Sequence, residues 1–382
     1  MQDVELQDGP VAFVGALDVE RSATGWQPRR LPAWTRPQIP DLFMEAMVQM
    51  PSGVRVRFST DATAIELDVM LTLIRQLPKD LAPAWFDLVV DGDLAGQQPT
   101  TEGHVINLSS LDPGDISFAA GEPTTIRFEG LAPGSKVVEV WLPQASSVEV
   151  RAVRVDDGAT VAAAPASAAR RWVHHGSSIS HCMEAASPTR TWPAVAAHDA
   201  GVELLSLGFG GQCMLDPFVA RTIRDAPADV ISLKVGINIV NGDTMRDRTF
   251  GPAVHGFLDT IREGHPDTPI LLVSPIFCPS AEDHPGPNVV SPDGKFVTVA
   301  GSEEIRQTCL TLRKVRAQLA AIVELRQAQG DAHLSYLDGL GLFGPQDADD
   351  LPDDLHPNAE GYVRMGHRFA EQAFGPGGAL AP

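Results

Sequence analysis

Hydrophobic and polar residues alternate with a period of two between about residues 54 and 155. Val54, Val56 and Phe58, for example, alternate with Arg55 and Arg57, which is the pattern of a half-buried β-strand. Further short runs of β-forming residues lie at 65–71, 86–90, 125–128, 137–142 and 148–155. Because no helical pattern separates these runs, we predict a jelly-roll-like antiparallel β-sandwich over residues 1–160.

A segment of small residues follows the strand-rich part of the chain. Residues 158–169 read GATVAAAPASAA and contain no large apolar side chain, which is typical of a linker between domains. The chain of 382 residues is also long for one domain. We therefore predict an accessory sandwich domain over residues 1–160 and a catalytic domain over 168–382.

Strand and helix patterns alternate in the second part of the chain. Buried strands are predicted at 172–175, 202–207, 230–235, 270–274 and 334–337. Apolar residues at helical spacing predict a long helix within 303–329, and Asn358 is a candidate N-cap for a helix over 359–374. This alternation predicts a three-layer α/β/α domain with a parallel sheet, whose ligands bind beyond the carboxyl ends of the strands. Residues 278–300, rich in proline and glycine, are interpreted as a functional loop or insertion.

The net charge of the chain argues against some classes of binding partner. The chain has 29 basic and 49 acidic residues, a net charge of −20, which repels phosphate backbones and anionic lipid surfaces. We expect no nucleic-acid or membrane partner, and the acidic N-terminal residues predict a cytoplasmic protein. The four cysteines are scattered through the sequence, which favours reduced thiols over a disulfide framework.

Small and hydrogen-bonding residues cluster at the predicted strand ends and before the last helix. The four groups are GSSIS at 176–180, GFGGQ at 208–212, GIN at 236–238 and DDLHPN at 353–358. A serine hydroxyl needs a base within hydrogen-bond reach, and that base needs an acceptor that orients it. Ser178, His356 and Asp353 can fill these roles, with Asp354 as the competing orienting residue.

The same groups offer donors for a developing oxyanion. The backbone N–H groups of Ser178 and Gly211, with the side-chain amide of Asn238, can stabilise the negative charge of a tetrahedral intermediate. His175 and Gln212 are candidates for substrate binding. We predict no metal site, because the histidines and the cysteine near residues 174–182 lack the ligand spacing typical of zinc.

The four groups, in this order, resemble the SGNH hydrolases, also called the GDSL esterase/lipase family. The resemblance extends over residues 172–374 and implies Ser178 as nucleophile, His356 as general base and Asp353 as its orienting residue. It also implies an oxyanion hole formed by Ser178, Gly211 and Asn238. The stretch WVHHGSSIS is similar to the two-domain branch associated with carbohydrate O-acetyl esterases.

This resemblance implies a serine esterase that needs no cofactor. Its expected substrate is a short-chain ester, an acetyl ester by this resemblance, of an oligosaccharide or a glycosylated small molecule, cleaved through an acyl-enzyme. Two alternatives stay open from the sequence. The same acyl-enzyme could pass its acyl group to an alcohol, as in an acyltransferase, or the chain could be a carbohydrate-binding protein whose hydrolase-like domain is not catalytic.

Overall fold

The chain folds around two separate cores. The computed structural model describes residues 1–6, 9–109, 115–299 and 306–382. One unit comprises Met1–Ala168 with Ala186–Thr189, and the other comprises Ala169–Ala185 with Arg190–Pro382. Within the described residues, no helix is both long and apolar enough to cross a membrane. The accessory and catalytic roles of the two domains stay predictions.

The first unit is a β-sandwich. Its strands are β1 (Gln2–Val4), β2 (Ala12–Val14), β3 (Asp18–Arg21), β4 (Trp26–Arg29), β5 (Arg55–Thr60), β6 (Ala64–Gln76), β7 (Ala84–Val90), β8 (Asp93–Thr100), β9 (His104–Leu108), β10 (Ile116–Ala119), β11 (Thr124–Glu129), β12 (Lys136–Trp141), β13 (Ser146–Val155) and β14 (Val161–Ala162). One sheet has the order β10-β9-β6-β13-β4-β3, with β1 on β13 and β11 on β6. The other has the order β14-β5-β12-β7-β8, with β2 on β5.

The alternation that predicts these strands also forms their core. Val56 and Phe58 of β5, like Leu67 and Val69 of β6, are completely buried in one hydrophobic cluster, since alternate side chains of a strand point to the same face. The predicted sandwich is confirmed. The pairing of β6 with β9 departs from the predicted antiparallel arrangement, because these two strands run parallel. The strands β1–β4, β8–β10 and β14 and the eight-residue helix α1 (Leu42–Gln49) were not predicted. The shortest of these elements have two to four residues, too few for a recognisable period.

A buried carboxylate fixes residues 186–189 in the first unit. Asp87 in β7 is fully buried, and its Oδ2 accepts hydrogen bonds from the Ser187 hydroxyl at 2.6 Å, from the Thr189 hydroxyl at 2.6 Å and from the Thr189 backbone N–H at 3.0 Å. Its Oδ1 accepts from Gln97 at 2.8 Å. These bonds supply the partners that a carboxylate needs in the interior.

The second unit is an α/β domain. Its parallel strands are β15 (Arg171–Gly176), β16 (Glu203–Gly208), β17 (Val230–Lys234), β18 (Ile270–Val273) and β21 (Leu334–Leu337), and β19 (Asn288–Val290) pairs with β20 (Phe296–Thr298) in a separate hairpin. Its α-helices are α2 (Ser178–His181), α3 (Trp192–Ala200), α4 (Pro217–Asp225), α5 (Ile237–Asn241), α6 (Asp247–Gly264), α7 (Leu312–Ala328) and α8 (Ala359–Phe369). The sheet order is β16-β15-β17-β18-β21. The order reverses at β15, and in open α/β sheets ligands bind at the carboxyl side of such a switch point.

Helices cover both faces of this sheet. Trp172 in β15 stacks on Phe369 of α8 at 5.2 Å between ring centroids and lies 6.2 Å from Trp192 of α3. His175 points to the opposite face, where its ring stacks on Phe257 of α6 at 5.7 Å, and α4 and α7 pack against α6. The predicted α/β/α fold with a parallel sheet is therefore confirmed.

The structure gives the bounds of two predicted helices and shows what the predicted loop contains. The helix predicted within 303–329 is α7, which begins after the N-cap Thr311, while residues 300–305 lie outside the described residues. Asn358 is the N-cap of α8, and its side chain accepts from the N–H of Gly361 at 2.8 Å. The segment interpreted as a loop or insertion contains the hairpin β19–β20.

Candidate active site

Two glycines allow helix α2 to lie close against the ends of β15 and β16. A Cβ at Gly176 would be 2.2 Å from the Ser180 hydroxyl, and a Cβ at Gly208 would be 2.5 Å from the Ser180 carbonyl carbon. Either contact would push the turn away from the sheet. Gly176 and Gly208 are the first residues of the first two sequence groups. They thus allow Ser178, the first residue of α2, to lie directly beyond the sheet.

Ser178, His356 and Asp353 form one hydrogen-bonded chain. The Asp353 carboxylate is 2.7 Å from His356 Nδ1, and His356 Nε2 is 2.8 Å from Ser178 Oγ. Since a carboxylate can only accept, Nδ1 carries the proton and Nε2 is left to accept from the serine. The other oxygen of Asp353 accepts from the N–H groups of Leu355 at 3.0 Å and His356 at 2.7 Å.

Asp354, the competing candidate, has a different partner. Its carboxylate pairs with Lys295 at 2.8 Å, whereas Asp353 is the acidic residue bonded to the imidazole. Asp354 also has a positive φ of 63°, a conformation that turns the backbone between the two aspartates. The structure therefore brings Asp353, and not Asp354, to His356.

Acidic neighbours control the protonation of His356. Burial by itself lowers the pKa of this imidazole, but the negative charges of Glu184 and Asp353 and the hydrogen bond to Asp353 outweigh it, so the pKa is raised above 6.5. For Asp353, burial raises the pKa, and the bonds from His356 and Leu355 lower it further than burial raises it. The resulting pair stabilises a protonated imidazole next to an ionised carboxylate.

Glu184 is a residue of the site that the sequence analysis missed. Its Oε2 accepts a hydrogen bond from the Tyr362 hydroxyl at 2.9 Å, and Tyr362 is completely buried in α8. Glu184 follows Ser178 by six residues, and Tyr362 follows His356 by six. This bond therefore joins the serine-bearing and histidine-bearing segments a second time. A single acidic residue after a turn carries no distinctive sequence signal.

The three N–H donors predicted for an oxyanion hole are left without an acceptor in the described part of the chain. Among the described residues, the backbone N–H groups of Ser178 and Gly211 have no hydrogen-bond acceptor. The Asn238 side chain in α5 accepts from the Cys213 N–H through Oδ1 at 3.1 Å. Its NH₂ group is then free to donate, since amide orientation follows from the hydrogen-bond pattern.

A second serine–histidine pair lies inside the domain. His174 Nε2 is 2.8 Å from Ser180 Oγ, and His174 Nδ1 is 2.7 Å from Ser232 Oγ, which also accepts from the Trp172 indole N–H at 2.8 Å. His174, Ser180 and Ser232 are fully buried. Burial lowers the pKa of His174 well below 6.5, so this imidazole is neutral.

The two candidates for substrate binding occupy different environments. His175 is 1% exposed; its Nδ1 donates to the Leu207 carbonyl at 2.8 Å, and its Nε2 lies 3.4 Å from the Cys213 thiol. Both ring nitrogens are thus engaged in the interior, and burial lowers the pKa of His175 to about 4. We do not propose a substrate contact for this residue. Gln212 is half-buried beside Gly211, and its substrate role stays a prediction.

The cysteines and histidines of this region do not form a metal site. In the parts of the chain that the structure describes, no three His, Cys, Asp or Glu side chains are grouped so that they could hold an ion. Cys213 is buried, and burial raises the pKa of its thiol to about 12. A thiol that stays protonated is a poor nucleophile, which agrees with a packing role.

The chain is similar to solved structures over nearly its full length. A salicylyl-acyltransferase from a tetracycline biosynthetic pathway is 29% identical, with a TM-score of 0.80 and coverage of 96% of this chain and 95% of that chain. A family two carbohydrate esterase from Clostridium thermocellum, in complex with cellohexaose, is 14% identical, with a TM-score of 0.59 and coverage of 94% and 97%. A family two carbohydrate esterase from Cellvibrio japonicus is 13% identical, with a TM-score of 0.55 and coverage of 97% and 96%.

The sequence itself matches a known family. No protein with a curated function matches this chain in sequence. Residues 175–364, however, match the GDSL-like Lipase/Acylhydrolase family, and this range includes all four groups of small and polar residues at the site. The chain therefore contains a domain of the GDSL-like Lipase/Acylhydrolase family over residues 175–364.

Proposed function

We propose that this protein is a serine esterase that cleaves short-chain acyl esters through an acyl-enzyme on Ser178. The observation that supports this most directly is the chain from Ser178 through His356 to Asp353, with distances of 2.8 and 2.7 Å. A partly exposed serine with a neutral imidazole acceptor is the arrangement that activates a hydroxyl for attack.

The first half of the reaction forms the acyl-enzyme. Ser178 Oγ attacks the ester carbonyl while His356 Nε2 takes the serine proton, and the carbonyl oxygen becomes an oxyanion. The N–H groups of Ser178, Gly211 and Asn238 stabilise that charge. The C–O bond to the alcohol then breaks, and His356 gives its proton to the leaving oxygen.

The second half regenerates the enzyme. Water, deprotonated by His356, attacks the acyl carbon, and the second tetrahedral intermediate collapses to the free acid and Ser178. Asp353 accepts from Nδ1 throughout, so it stabilises the imidazolium in both steps. We propose acetyl esters of an oligosaccharide or a glycosylated small molecule as substrates, in line with the carbohydrate esterases that WVHHGSSIS resembles.

Acyl transfer to an alcohol is the second candidate. The observation that favours it is the 29% identity, over 96% of this chain, to a salicylyl-acyltransferase. The chemistry differs in one respect: the alcohol that attacks the acyl-enzyme replaces water, and His356 takes its proton in the same way. Which product forms therefore depends on how well an alcohol competes with water for the acyl-enzyme.

One experiment separates these functions. We would follow p-nitrophenyl acetate, butyrate and octanoate with wild type and Ser178→Ala, and add alcohols of increasing size while measuring free acid and new ester separately. An esterase releases one acid for each p-nitrophenol whatever alcohol is present, whereas an acyltransferase diverts most of the acyl group into ester. A non-catalytic binding protein would show equal rates for both variants and no Ser178 labelling by a fluorophosphonate probe.

A further inference from the structure

The hairpin β19–β20 is attached to both sides of the catalytic chain. On one side, the Phe296 N–H donates to the Asp353 carbonyl at 3.2 Å, and the Phe296 ring meets the His356 ring edge-on, with centroids 5.7 Å apart. On the other side, the Asn288 side chain donates to Asn241 of α5 at 3.1 Å, the helix that carries Asn238. The hairpin thus connects the histidine loop with the helix of the proposed oxyanion hole.

The register of the hairpin assigns its side chains to two faces. Val290 pairs with Phe296, and Val289 pairs with Val297. Paired residues of antiparallel strands share a face, and adjacent residues alternate between faces. Because Phe296 contacts His356, Val290 lies on the same face as that contact, and Val289 lies on the opposite one.

On this face, Val290 and Phe296 form a partly exposed apolar pair next to the polar pair Asn288 and Thr298. Val290 is 47% exposed, and Phe296 is half-buried against the imidazole. Val289, on the other face, is 46% exposed. Two identical side chains on one strand therefore have nearly the same exposure, and they differ in whether they face the catalytic histidine.

The mechanism decides which part of the ester comes near this face. His356 Nε2 protonates the leaving oxygen, so that oxygen must come within about 3 Å of the imidazole. The alcohol half extends from this oxygen, Phe296 borders the same imidazole, and Val290 is the strand partner of Phe296 on that face of the hairpin. Resting on the esterase function proposed above, and favouring its glycosylated small molecule over an oligosaccharide, we infer that Phe296 and Val290 bind the alcohol half of the substrate, and that this half has a flat apolar face such as an aryl ring.

Matched threonine variants test this inference. Val290→Thr keeps the shape of the side chain and replaces a methyl with a hydroxyl, and Val289→Thr makes the same change on the other face. We expect Val290→Thr to raise KM for 2-naphthyl acetate, and Ki for 2-naphthol as a competitive product inhibitor, by roughly fourfold, the contribution of one methyl-sized apolar contact. Val289→Thr should leave both values at those of wild type, and kcat/KM for methyl acetate should be the same in all three proteins.

The outcomes distinguish this inference from the proposed function. Equal Ki values for 2-naphthol in the two variants would overturn the alcohol site while Ser178-dependent hydrolysis still stood. If the effect of Val290→Thr on KM depended on acyl-chain length among esters of the same alcohol, the inference would also be overturned, because the face would then bind the acyl half. Stronger inhibition of wild type by methyl glucoside than by 2-naphthol would exclude an aryl-type alcohol. Loss of hydrolysis only with Ser178→Ala, together with the expected Ki difference, would support both proposals.

Discussion

The short helix α2 carries two serines, Ser178 and Ser180, and each is hydrogen-bonded to a histidine with almost the same geometry. Ser178 Oγ is 2.8 Å from His356 Nε2, and Ser180 Oγ is 2.8 Å from His174 Nε2. The second imidazole nitrogen is 2.7 Å from an oxygen in both cases. Distance alone therefore does not distinguish a catalytic arrangement from an internal one.

The pairs differ in the orienting group and in access. Asp353 is a carboxylate that holds the pKa of His356 above 6.5 with the help of Glu184. The orienting oxygen of His174 belongs to the neutral Ser232, and burial lowers the pKa of His174 well below 6.5. Such an imidazole has no charged partner to stabilise it once it takes a proton. The comparison indicates that a negative charge behind the histidine, and a serine open to substrate, make a base–nucleophile pair.

Replacing each serine is the most severe test of this difference. Ser178→Ala should reduce kcat for p-nitrophenyl acetate by about 10⁶-fold, the scale found when a triad nucleophile is removed. Ser180→Ala should retain kcat close to wild type and lower the free energy of unfolding by about 1 to 3 kcal/mol, because the buried Nε2 of His174 loses its hydrogen-bond partner. Steady-state rates and urea unfolding of both variants measure the two effects, and a large loss of kcat in folded Ser180→Ala would contradict the assignment.

Replacing the two orienting groups should have the next largest effect. Asp353→Asn can present its amide NH₂ to Nδ1 and favour the wrong tautomer of His356, so we expect kcat to fall by about 10⁴-fold. Ser232→Ala removes the hydrogen-bond partner of His174 Nδ1. It should lower the free energy of unfolding and leave kcat close to wild type. The measurement is kcat for the folded fraction of each variant at pH 8. Similar losses in both would mean that the charge of Asp353 has no special part in the reaction.

The sequence predicts the sandwich and the α/β/α domain for identifiable reasons. The longer strands of the sandwich alternate with a period of two, and the central strands of the parallel sheet are short buried runs. The candidates Ser178, Asn238 and His356 stand at element boundaries, where composition changes sharply. The interior partner of His174 and the bond from Tyr362 to Glu184 could not be predicted, because both join residues far apart in sequence through ordinary side chains. The side of the hairpin that faces His356 depends on strand register, which its short, valine-rich strands do not specify.

The smallest expected effect concerns the charge behind His356. Catalysis needs the neutral imidazole, so kcat/KM for wild type should rise as pH increases through the raised pKa of His356. Glu184→Gln removes one negative charge but keeps an oxygen that accepts from Tyr362. The pKa of His356 should fall in this variant, and the rise in kcat/KM should move to lower pH.

Tyr362→Phe provides the control for this shift, because it removes the 2.9 Å bond to Glu184 and retains the charge. Its pH midpoint should stay above that of Glu184→Gln. Glu184 is exposed, so salt should screen its effect on His356. The difference between wild type and Glu184→Gln should be larger at 10 mM ionic strength, where the Debye length is about 30 Å, than at 500 mM, where it is below about 8 Å. An unchanged midpoint in Glu184→Gln at low salt would show that Asp353 alone sets the protonation of His356, and the difference between the two serine–histidine pairs would then rest on a single carboxylate.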